Sequence, residues 1–151
     1  MQDIKRILVA SRMTKFDRKA LQFGISLAKQ FNAELFVIHV VHDPFGLEGW
    51  NLPVPNLEAD YLRELQKAKK SLDDMIAQER AGGLGIKELV REGEPVQEIL
   101  RVVKEEKIDL LILLAHEEGK LEHFLFGHAN DQIVHKLPCT ILLVKKEVNF
   151  A

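Results

Sequence analysis

Five short runs of apolar, often β-branched residues recur along the chain, and longer stretches of helical periodicity separate them. The runs are "IKRILVA" (4–10), "AELFVIHVV" (33–41), "IKELVREG" (86–93), "IDLLILLA" (108–115) and "CTILLVKK" (139–146). A strand with one face in water alternates apolar and polar residues, whereas a strand covered on both faces reads as a nearly unbroken apolar run. The pattern therefore predicts a parallel sheet with helices on both faces, joined by right-handed crossovers. Strands are expected near residues 4–10, 34–41, 86–92, 108–115 and 139–145, the third being less apolar and so nearer an edge.

The intervening segments fit that plan. In "TKFDRKALQFGISLAKQF", Ala20, Leu21, Gly24, Leu27, Ala28 and Phe31 share one helical face, and Thr14 with Asp17 supplies a cap. Tyr61, Leu65, Ala68, Leu72, Met75 and Ile76 mark a longer helix, and "AGGLG" stops it. Pro95 opens a helix with Val96, Ile99, Leu100 and Val103 on one face. A short helix around 130–136 turns Ile133 and Val134 inward. Pro44, Gly46, Gly49, Pro53 and Pro55 make the segment after the second strand a loop.

With 151 residues the chain suits one domain spanning 1–151, large enough for a proper core. A formal net charge of -2 argues against a general nucleic-acid binder. No apolar run approaches the roughly 20 residues that span a bilayer, so no membrane partner is expected. "MQDIKRILVASR" enters a strand directly, without a basic-then-apolar leader, which points to a cytoplasmic protein. The single cysteine, Cys139, lies in "LPCTILLV" and reads as a buried, inert thiol.

Ligands of open parallel sheets bind beyond the carboxyl ends of the strands, where strand order reverses. That directs attention to the loops 10–14, 41–55 and 115–130. The last, "AHEEGKLEHFLFGHAN", follows the most strand-like run and carries three histidines, two consecutive glutamates and two glycines. Gly127 ahead of a short helix fits a phosphate cradle, in which backbone N–H groups and a helix N-terminus face the anion. A simpler reading is a tight entry into the helix. His116, His123 and His128, with Glu117, Glu118 and Glu122, also suit a metal. No His-Glu-x-x-His spacing accompanies them, however, and a solvated loop explains them better. His39, inside a strand, reads as a hydrogen-bonded core residue. No Gly-x-Ser-x-Gly elbow or Walker-type Gly-Lys-Ser/Thr is present, so no catalytic residues are expected.

Four stretches in order, "ILVA", "AELFVIHVV", "VREGEPVQEIL" followed by "DLLILLA", and "LPCTILLV", resemble the universal stress protein family over essentially the whole chain. The resemblance implies a five-stranded parallel sheet in the order 3-2-1-4-5, of the adenine nucleotide alpha hydrolase-like kind. It also implies homodimerisation through the last strand, here Ile141, Leu142, Leu143 and Val144, and a role in stress survival rather than a defined reaction. One branch of the family binds ATP through Gly, two residues, Gly, nine residues, then Gly with Ser or Thr, plus an Asp after the first strand. Counting back from Gly127 puts Glu117 and Leu114 at the earlier glycines; counting from the strand end puts Ala115 and Glu118 there. His128 replaces the hydroxyl residue, Arg12 stands at the Asp, and Met13–Thr14 replace Gly-Ser.

The expectation is a non-catalytic, regulatory or protective homodimer with a degenerate nucleotide site and no cofactor; its protein partners are not legible. The residues of that site are Ala10, Ser11, Arg12, Val40, Ala115, Gly119, Gly127 and His128. The alternative is an ATP-binding stress protein, with slow hydrolysis, that uses the 115–130 loop and enlists Arg12 for a phosphate.

Overall fold

The computed structural model describes residues 3–11, 17–41, 57–115, 129–136 and 138–145. In chain order these form β1 (Arg6–Ser11), α1 (Asp17–Phe31), β2 (Glu34–Val41), α2 (Leu57–Ala81), β3 (Ile86–Glu92), α3 (Pro95–Glu105), β4 (Leu110–Leu114), α4 (Ala129–Lys136) and β5 (Thr140–Val144). All neighbouring strands are parallel, and the sheet runs β3-β2-β1-β4-β5. The parallel, helix-flanked sheet is that of the apolar pattern, the strand order is that implied by the family resemblance, and β3 is an edge strand as its polarity suggests.

Side-chain alternation along each strand divides the core in two. Ile7, Val9, Leu35, Val37 and Ile112 point to one face, where Ala20, Leu21, Ile25 and Ala28 of α1 and Leu72 and Ile76 of α2 cover them. Leu8, Phe36, Ile38, Leu111 and Leu113 point to the other, under Val96, Ile99, Val102 and Val103 of α3 and Ile133 of α4. Both sides of the central strands are thus dry, which is why those strands carry almost no polar residue. Gly24 lets α1 lie close against the sheet: a Cβ there would collide with Val9 Cγ2. Gly83, at φ 99, provides the left-handed turn that ends α2.

β4 is shorter than its apolar run because Asp109 has another task. Its carboxylate accepts from the backbone N–H groups of Lys5 and Arg6, each at 2.9 Å, and its own N–H donates to the Arg6 carbonyl. The Arg6 guanidinium in turn donates to the Glu106 carbonyl at 2.7 Å. The amino ends of β1 and β4 are tied together by these bonds. Thr14, expected to cap α1, lies outside the described residues.

Candidate functional site

From β1 the chain moves outward through β2 to β3 on one side, and β4 and β5 extend the sheet on the other. The strand order therefore reverses at β1, and the crevice above the carboxyl ends of β1 and β4 is the position that this topology offers to a ligand. Register places the described candidates around it. Ala10 pairs with Ile38 and Ser11 with His39, so Val40 stands one residue further along β2. Val9 pairs with Ile112, and continuing that register carries Ser11 to the level of Leu114, just below Ala115. The two neighbours on β1 face opposite ways. Ala10 joins Val40 in the cluster under α3, whereas Ser11 is buried on the other face. Arg12, Gly119, Gly127 and His128, and the metal candidates His116 and His123, lie outside the described residues.

Asn130 is a rim residue that the sequence pattern did not single out. Buried in the first turn of α4, it donates from Nδ2 to the Leu114 carbonyl at 2.6 Å. The bond satisfies the last carbonyl of β4 and seats the start of α4 over that strand, as a buried backbone acceptor requires. An amide side chain directly after a loop and before an apolar helical pair was the signal available for it. Asp131 follows, placing a carboxylate in the first turn of α4, where it complements the helix dipole. A phosphate at the same place would meet like charge.

Beyond this rim, two shallow grooves run along the outer flank between α4 and β5. One, of about 300 Å³, is lined by Ala115, Asn130, Asp131, Val134, His135 and Leu143. The other, of about 450 Å³, is lined by Val134, Cys139, Thr140, Ile141 and Leu143. Cys139, read from the sequence as buried, is only half-buried and lines the second groove; its partial burial still pushes the thiol pKa up. His39 is hydrogen-bonded in the core as predicted: its Nε2 lies 3.1 Å from Glu88 Oε2. Among the described residues no group of three or more His, Cys, Asp or Glu side chains is arranged to hold a metal ion. Nor is any described helix long and apolar enough to cross a membrane.

A parallel sheet whose strand order reverses at β1 is a common α/β frame. The chain belongs to the universal stress protein family, whose profile matches residues 3–145. Universal stress protein MJ0531 of Methanocaldococcus jannaschii is 30% identical over 147 residues, covering 94% of this chain and 82% of its own length. The solved structure of MJ0577, from the same organism, superposes with a TM-score of 0.69 at 20% identity, covering 97% of this chain and 99% of its own. A universal stress protein from Archaeoglobus fulgidus, solved in complex with dAMP, gives a TM-score of 0.61 at 17% identity, with 95% and 100% coverage. At these identities the two structural likenesses are likenesses of fold.

Proposed function

We propose that the chain is a non-catalytic universal stress protein, a cytoplasmic homodimer joined through β5, with a regulatory or protective role and little or no affinity for ATP. What supports the nucleotide reading is the departure of the 114–128 stretch from the glycine motif in the sequence. A phosphate there needs several backbone N–H groups at close range, which glycines permit and side chains obstruct. This chain offers Ala115 and the Glu117–Glu118 pair around the first two glycine positions of the motif, and His128 in place of the hydroxyl residue. Asp131 adds a carboxylate in the first turn of α4.

Each charge-assisted hydrogen bond lost costs about 1.5–3 kcal/mol. Two such losses take a micromolar ligand to roughly millimolar, at a factor of ten per ~1.4 kcal/mol. Arg12 offsets part of that loss. Isothermal titration with Mg-ATP is therefore expected to show no saturation at tens of micromolar. A low-micromolar isotherm that Gly127→Leu abolishes would overturn the reading. The dAMP complex of the Archaeoglobus fulgidus protein favours that second reading, adenine-nucleotide binding with or without slow hydrolysis.

A further inference from the structure

On the face of the sheet that packs against α2, three polar side chains form a line from the interior to the surface. His39 on β2 is 2% exposed at its side chain, and its Nε2 lies 3.1 Å from Glu88 Oε2 on the edge strand β3. The other oxygen of Glu88 lies 3.4 Å from Nη1 of Arg80, in the last turn of α2. Arg80 also donates from Nε and Nη2 to the Ile86 carbonyl, at 3.2 and 2.7 Å. The line thus fastens the end of α2 to β3, and β3 to β2.

A carboxylate only accepts, so the Nε2 facing Glu88 carries the hydrogen of the neutral ring. That leaves Nδ1 as a bare lone pair, buried and with no hydrogen-bond partner among the described residues. An unmet acceptor is tolerable. Protonation changes it into a buried N–H on a charged ring with no acceptor among the described residues, which is costly. The charged groups around the ring are Glu88 on β3 and Lys69 and Asp73 on α2; Glu88 and Asp73 attract an imidazolium and Lys69 repels it. Desolvation outweighs them, so the pKa of His39 falls below the ordinary 6.5.

We propose that the His39–Glu88–Arg80 line is an acid-released latch: protonation of His39 loosens β3 and the C-terminal half of α2 while the central strands stay folded. The direction follows from linkage. In the opened segment the imidazole recovers its ordinary pKa, so the open form binds the proton more readily than the closed one. The latch therefore holds above about pH 6.5 and weakens as pH falls below it. Moving from about pH 7.5 to about pH 5.5 multiplies the opening constant by at most about tenfold, the limit in which the closed form takes up no proton. β3 is the element placed to respond, because its ladder is formed with β2 alone.

Amide hydrogen exchange on the full chain at those two pH values, corrected for intrinsic rates, tests the latch. Peptides covering 71–81 and 86–92 should lose up to about tenfold in protection at the lower pH, and those covering 110–114 should not. His39→Gln keeps an N–H for Glu88 but has nothing to titrate, so its protection should be independent of pH. Unchanged protection in the native chain, equal loss at 110–114, or the same acid loss in His39→Gln would each overturn the proposal. The imidazole signals of the native chain give a check that depends on no variant. One histidine should titrate below the ordinary range, and a midpoint for His39 at or above 6.5 would also overturn it.

Discussion

The two edges of the sheet are finished in opposite ways. β3 carries Lys87, Glu88, Arg91 and Glu92 among its seven residues. Lys87 reaches back to Glu34 at 3.3 Å and lies 5.3 Å from the centre of the Phe36 ring, while Arg80 crosses to Glu88 and the Ile86 carbonyl. β5, "TILLV", has no charged residue; Leu143 is 51% exposed, beside the apolar Val134 of α4. Charges on an edge strand discourage another chain from extending the ladder, and an apolar edge invites it. Among the described residues one edge is blunted and the other is left open, and this contrast supports assigning the proposed dimer contact to β5.

Backbone geometry sharpens the assignment. The Val144 carbonyl accepts from Ala115 N at 2.8 Å, so the polar groups of Val144 face β4. Alternation along a strand then turns the N–H of Leu143 toward the open edge. Of the four residues expected at the interface, Val144 is buried in the chain's own core, and Ile141 and Leu142 pack partly against it. The same alternation turns the N–H of Ile141 outward, but Leu143, 51% exposed, combines an outward donor with the more exposed side chain.

The largest expected effect is accordingly at Leu143. Replacing it with proline removes the outward donor on both sides of a twofold contact, along with part of the apolar surface. Association should weaken by about 2–3 kcal/mol, roughly thirty- to a hundred-and-fiftyfold in Kd, with the monomer fold retained. Sedimentation of Leu143→Pro beside the native chain reads this directly, and equal affinities would remove β5 from the contact. On the opposite edge, Arg80→Ala deletes two hydrogen bonds to the Ile86 carbonyl and one to Glu88. Urea unfolding should show the chain about 1–2 kcal/mol less stable, with oligomeric state unaltered. The smallest effect belongs to Val90, an exposed apolar residue on β3. Val90→Lys should alter stability by no more than about 0.5 kcal/mol and leave association untouched; weakened association would mean that β3 takes part in the contact.

The fold was legible because its signal is repeated. Each central strand is dry on both faces, so "ILVA", "FVI" and "LLILL" could not be written any other way. The ends of elements were less legible, since they depend on single polar bonds between residues far apart in sequence. Asp109 looked like part of a strand and instead ties β1 to β4 across more than a hundred residues. For the same reason the seat of Asn130, in the first turn of α4, on the end of β4 was missed, its partner being a backbone carbonyl 16 residues away. His39 was recognisable as a core residue from its place inside an apolar run, but Glu88 and Arg80 could be joined to it only in three dimensions. At the rim, Ala10, Ser11 and Val40 lie at the carboxyl ends of β1 and β2, and Ala115 directly follows β4. The loop candidates Arg12, Gly119, Gly127 and His128 lie outside the described residues.

The most direct test of the contrast between the edges is the mass of the native chain in solution. Sedimentation equilibrium at micromolar concentration and neutral pH should return the mass of two chains, and Leu143→Pro should shift it toward one. A native chain that sediments as a monomer throughout that range would contradict the account, because β5 would then be an open apolar edge that no second copy covers.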